Sequence, residues 1–108
     1  MKLLRVATIY KITYPNGKIY IGQDRTNDVN YFGSADSLTI ANDFTASKRD
    51  DFTVRKQILM RRYRVSVPQL NELEKQAIKK HRSNVSAIGY NRTHCPRRKC
   101  TMRYVRTK

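Results

Sequence analysis

Residues 8–23 read TIYKITYPNGKIYIGQ, and the length of the turn inside this stretch decides how the chain folds. Alternating aromatic, β-branched and polar residues on either side of Pro15-Asn16-Gly17 predict two antiparallel strands, residues 3–13 and 18–23. A three-residue loop puts Pro and Asn in a type I turn and Gly in the left-handed position. It pairs Tyr14 with Lys18, Ile12 with Tyr20, and Tyr10 with Gly22. Side chains alternate with period two, so Tyr10, Ile12, Tyr20 and Gly22 share one face. A two-residue Asn-Gly turn would shift the register by one and send the tyrosines to opposite faces. Only the longer loop lets the two phenols act together.

The rest of the chain is patterned around this hairpin. Residues 24–34, rich in Asp, Asn, Thr and Gly, predict a loop with an aromatic anchor at Tyr31-Phe32. Leu38, Ile40, Ala41 and Phe44 predict a short helix that ends before the charged cluster at 47–51. Residues 52–60 read as a third strand, with Arg61, Arg62 and Arg64 directly after it. Ser66 with Gln69 three residues later predicts a capped helix running to about residue 83. Leu70, Leu73, Ala77 and Ile78 form its apolar stripe. The expected fold class is α/β of the α+β kind: a three-stranded antiparallel β-sheet flanked by helices. Residues 1–92 form its one domain, and 93–108 a basic C-terminal tail.

At 108 residues the chain supports one small core. Its 23 Lys and Arg against 8 Asp and Glu give a net charge of +15, the footprint of a protein that binds polyanions. No apolar run reaches membrane-spanning length, no amphipathic basic helix shows an aromatic edge, and the N-terminus lacks a convincing cleavage signal. A cytoplasmic protein that binds a polyanion, most commonly nucleic acid, is expected, with no membrane and no small-molecule substrate. Cys95 and Cys100 are expected to remain thiols. A disulfide between them, or zinc held with His94, is the alternative, although three ligands fall short of the usual four.

The triplets Thr8-Ile9-Tyr10 and Tyr20-Ile21-Gly22 are followed in order by YFGS at 31–34, LNELEKQAIKK around Glu74, and GYN at 89–91. This ordered set resembles the GIY-YIG nuclease domain over residues 6–92. Thr8 stands where the family has its first glycine, and the gap between the triplets is one residue shorter than the commonest. The resemblance implies a GIY-YIG-like fold and a divalent-metal-dependent DNA endonuclease that hydrolyses phosphodiester bonds.

Candidate site residues follow from both readings. Glu72 and Glu74 are the only glutamates, and Glu74 lies within the helix stripe while Glu72 points away as a solvated charge. A carboxylate on the buried side must pair with a cation, whether an arginine or a metal. The resemblance implies the metal, Mg²⁺ or Mn²⁺, which takes oxygen ligands and often only one or two carboxylates beside substrate phosphate. Tyr10 or Tyr20 would orient or deprotonate the attacking water. A basic role needs nearby cations to favour phenolate, and Lys18 and Arg55 are the expected suppliers. Tyr14, Tyr31, Tyr63 and Tyr104 are expected to pack or stack.

The family's phosphate-binding arginine falls at Asn30 in this chain, so Arg25, Arg49 and Arg55 remain as substitutes, with Arg55 on a strand preferred. By resemblance, Asn91 holds the active-site helix or positions water. From the residues alone it is a turn asparagine. His81 lies on the Glu74 face but about 10 Å along the axis, too far to share an ion, and is expected to find a backbone partner. Arg61, Arg62, Arg64, Arg97, Arg98 and Lys99 are expected to contact phosphates rather than bases. The rival to a nuclease is a catalytically inactive nucleic-acid-binding module of the same fold, and Asn30 is the feature that favours it. A basic ribonucleoprotein component is a third possibility.

Overall fold

The computed structural model describes residues 2–28, 31–32 and 37–92. Strands β1 (Leu3–Thr13), β2 (Ile19–Asp24) and β3 (Arg55–Ser66) form one antiparallel sheet in the order β2-β1-β3. Helices α1 (Ser37–Asn42), α2 (Ala46–Arg49) and α3 (Val67–His81) complete the fold. It is the three-stranded antiparallel α+β architecture that the sequence predicts. Among the described residues no helix is long and apolar enough to cross a membrane.

The hairpin takes the three-residue loop. Tyr14 and Lys18 close it through Tyr14 N–H to Lys18 O at 2.9 Å, and Gly17 N–H donates to Tyr14 O at 2.8 Å. Gly17 has φ +88°, a conformation most side chains resist. Tyr10 therefore pairs with Gly22 and Ile12 with Tyr20.

One face of the sheet packs against α3. Ala7, Ile9 and Ile21 meet Leu70, Ala77 and Ile78, with Val65 closing the cluster. Ser66 caps α3: its hydroxyl accepts from Gln69 N–H while the Gln69 side chain accepts from Ser66 N–H. The opposite face carries Thr8, Tyr10, Ile12 and Asp24, all buried. A second aromatic cluster joins Tyr14, Phe44, Phe52 and Tyr90 at the turn end of the hairpin.

Two boundaries differ from expectation. The third strand is Arg55–Ser66 rather than 52–60, so Arg61, Arg62 and Arg64 lie within it. Pairing with Ala7 and Thr8 of β1 holds Arg62 and Arg61 extended, Arg64 turns through a left-handed backbone at φ +55°, and an outer strand can carry charge at little cost. The cluster expected to follow the first helix forms α2 in part. That helix buries nothing and is held by Thr45, whose hydroxyl accepts from Lys48 N–H.

Candidate functional site

Tyr10 is fully buried in the centre of the sheet and lies directly over Gly22. A Cβ on Gly22 would stand 2.4 Å from the Tyr10 hydroxyl, so the glycine makes room for the phenol. Tyr20 lies on the same face with its ring centroid 6.5 Å from that of Tyr10, and Tyr31 meets Tyr10 edge-on at 6.1 Å. The Tyr10 hydroxyl has no hydrogen-bond partner among the described residues. Burial drives its pKa far above the ordinary phenol value, and Tyr20, Tyr31, Asp24 and Glu74 push the same way. Tyr10 is therefore a protonated donor at neutral pH.

The cation beside Tyr10 is neither Lys18 nor Arg55. Lys18 bonds Asp43 Oδ2 at 3.3 Å and lies over the Tyr90 ring. Arg55 is exposed at the start of β3 and pairs with Thr13, which the alternation puts on the other face from Tyr10. The next residue, Lys56, pairs with Ile12 and sets its ammonium 4.9 Å from the Tyr10 ring centroid. That ammonium also donates to the carbonyl oxygens of Asp28 and Tyr31, tying the segment after β2 to β3. One residue of register separates the two candidates, and no sequence signal fixes it.

Glu74 is half-buried on the helix side of β2. Its Oε1 accepts from Gln23 Nε2 at 2.9 Å, and the same amide reaches Asn71 Oδ1 at 2.9 Å. Arg25 Nε donates to Gln23 Oε1 at 2.8 Å, so Gln23 links the carboxylate to an exposed guanidinium. No arginine or lysine forms an ion pair with Glu74 among the described residues. The structural alternative for Glu74 is thus an amide contact, which leaves its charge uncompensated. Glu72 is exposed and accepts from Gln76, as a solvated charge should. Arg49 is committed to Phe44 O and Ala41 O, at the end of α1.

Asn91 holds a strand. Its Oδ1 accepts from Ile21 N–H and its Nδ2 donates to Ile21 O, both at 2.8 Å. Ile21 stands between Tyr20 and Gly22 on the outer edge of β2, and Asn91 occupies that edge as a neighbouring strand would. Gly89 bridges to Ile19 alongside it, and Tyr90 N–H donates to Ile19 O at 2.8 Å. Tyr90 donates its hydroxyl to Asp43 and accepts from Asn16; burial first, then Asp43, raises its pKa to about 12.

Asp24 was missed as a site residue. Its carboxylate accepts from Thr26 N, Thr26 Oγ1 and Asp28 N at 2.7–2.8 Å. Burial alone would raise its pKa, but these bonds and Lys56 outweigh it and hold the group below its ordinary value. The Asp-x-Thr spacing after the second triplet was the available signal. The His81 ring makes no hydrogen bond to the described residues; burial, Lys11 and Lys80 lower its pKa. Asn30, His94, Cys95, Arg97, Arg98, Lys99 and Cys100 lie outside the described residues, as do the last two residues of YFGS and all of the 93–108 tail.

No family model, curated protein or solved structure matches this chain.

Proposed function

We propose that the protein is a divalent-metal-dependent DNA endonuclease of GIY-YIG type. One observation carries this reading: fully buried Tyr10, whose hydroxyl has no partner among the described residues, stands beside half-buried Tyr20 and within electrostatic reach of half-buried Glu74, which pairs with no cation among the described residues. Orphaned buried polar atoms are costly, and substrate, water or an ion would satisfy them. Among the described residues no three His, Cys, Asp or Glu side chains cluster as a metal cage. Mg²⁺ or Mn²⁺ does not need one, since a single carboxylate with substrate oxygens and waters suits either ion. Glu74 would hold it, and the bound ion would stabilise charge on the scissile phosphate and the leaving oxygen.

The remaining roles belong to the chain itself. Tyr10 stays protonated and is not the base. That leaves Tyr20, half-buried on the same face, as the phenol that orients or deprotonates the attacking water. Arg25, fixed through its Nε and exposed beyond it, is placed to bind a phosphate oxygen beside Glu74.

Plasmid nicking tests the reading. Nicking should require Mg²⁺ or Mn²⁺, stop with EDTA, and be abolished by Glu74→Gln with folding and DNA affinity retained. Tyr20→Phe should lower the rate by ~10²-fold or more. Equal cleavage by wild type and Glu74→Gln would refute the assignment. The complete burial of Tyr10 favours a second reading, a catalytically inactive nucleic-acid-binding module, since substrate meets only exposed groups. That protein would bind DNA and leave plasmid intact under every metal condition.

A further inference from the structure

We propose that the outer strand β3 carries a track for single-stranded nucleic acid, with Tyr63 as the platform on which an unpaired base stacks. The proposal rests on the nuclease reading only in naming the substrate class: DNA with unpaired bases beside the scissile phosphate. Tyr63 is 69% exposed, the most exposed large apolar side chain among the described residues. Its side chain makes no hydrogen bond or ring contact with any of them, so packing does not explain it.

Register gives the ring its neighbours. Ile12 pairs with Lys56, Tyr10 with Ile58, Thr8 with Arg61 and Val6 with Tyr63. An irregularity between Ile9 and Tyr10, where Leu59 goes unpaired, keeps this series in phase with the tyrosine face. Lys56, exposed Ile58, Arg61 and Tyr63 thus run along one side of the sheet over about 20 Å. Cations interleaved with apolar and aromatic groups make a surface that follows a phosphate backbone while bases lie on the rings. Arg62 and Arg64 add positive charge on the same strand, and both are exposed.

Two other occupants fit less well. A second copy pairing antiparallel about the middle of the arginine run would crowd the Arg61, Arg62 and Arg64 cluster of one strand against the same cluster of the other, and like charges brought together destabilise a sheet. A fully paired duplex offers phosphates to the arginines, but its bases are already stacked and leave none for Tyr63.

The chain has no tryptophan, so Tyr63→Trp supplies a single fluorophore at the platform. Its emission is measured in EDTA against short oligothymidine and against a blunt duplex hairpin. Oligothymidine should quench it and the duplex should not. In the same buffer Tyr63→Ala should weaken oligothymidine binding about tenfold and leave duplex binding unchanged, while Tyr63→Phe keeps wild-type affinity for both. Equal quenching by both probes, no quenching by either, or equal losses of affinity for Tyr63→Ala would overturn the proposal. Thermal melts of the variants verify that each is folded. No bond is cleaved in EDTA, so a failure to nick plasmid leaves this result standing. A failure of stacking likewise leaves the nuclease reading intact.

Discussion

Gly22 and Tyr10 form one unit, because the phenol occupies the volume a side chain at position 22 would need. With a Cβ 2.4 Å from Oη and 2.6 Å from Cζ, Gly22→Ala must move the ring or the strand. Overpacking of this kind costs about 1–3 kcal/mol. Tyr10→Phe removes the nearer clashing atom together with an orphaned buried hydroxyl, so alone it should leave stability unchanged or raise it by about 1 kcal/mol. The two substitutions should couple, with the double variant more stable than the sum of the single effects. Denaturant unfolding of the four proteins measures this, and strict additivity would show that ring and glycine do not share space. The pairing of these residues was legible in the sequence because a three-residue turn fixes it locally. Which cation sits beside Tyr10 was not. Lys56 and Arg55 are adjacent, and the register of β3 against β1, which no local signal fixes, decides which of them faces the ring.

Elements were legible where a local signal defines them. The capping box at Ser66 and Gln69 set the start of α3, and its apolar stripe set the face. The end of β3 had no such signal, because arginines in an outer strand look the same as arginines in a loop until β1 is seen beside them. α2 buries no residue and so left no periodicity to read. The edge of β2 was hidden for a different reason: its partner is a side chain seventy residues away in sequence. Asn91→Ala should leave the N–H and C=O of Ile21 without their partner and cost about 2–4 kcal/mol. Asn91→Asp restores the acceptor for Ile21 N–H but sets a carboxylate against Ile21 O, and should be no better than Ala. Amide exchange at Ile21 checks the location of the damage. Protection there should fall in both variants, while the centre of β1 loses it only with global unfolding.

At the scale of the molecule, acid and salt act through separate sets of charges. Asp24 has a folded pKa below its unfolded value, so its contribution to stability is complete above about 3.9 and disappears as pH falls through the folded value. His81 is also lowered, so the unfolded chain takes up a proton near about 6.5 that the folded protein resists, and stability declines as pH falls below that point. Both terms weaken the fold in acid, at different pH. His81→Gln should flatten the upper part of the stability–pH curve and Asp24→Asn the lower part. An unchanged curve in either variant would remove that residue from the account.

Salt should have opposite effects on stability and on binding. A net charge of +15 on 108 residues repels itself, and counter-ions screen that repulsion within about 10 Å at 0.1 M. Melting temperature should therefore rise with NaCl, because the half-exposed Lys18–Asp43 pair is worth too little to reverse the trend. DNA affinity should fall over the same range, since each phosphate contact releases a counter-ion and adds about 0.9 to the slope of log affinity against log salt. Truncation after Arg92 removes six arginines and lysines and no acid, and leaves Asn91 in place. It should raise melting temperature at low salt, reduce the binding slope, and preserve nicking at saturating DNA. A slope unchanged by the truncation would place the phosphate contacts on the sheet, where Arg61, Arg62 and Arg64 lie along β3.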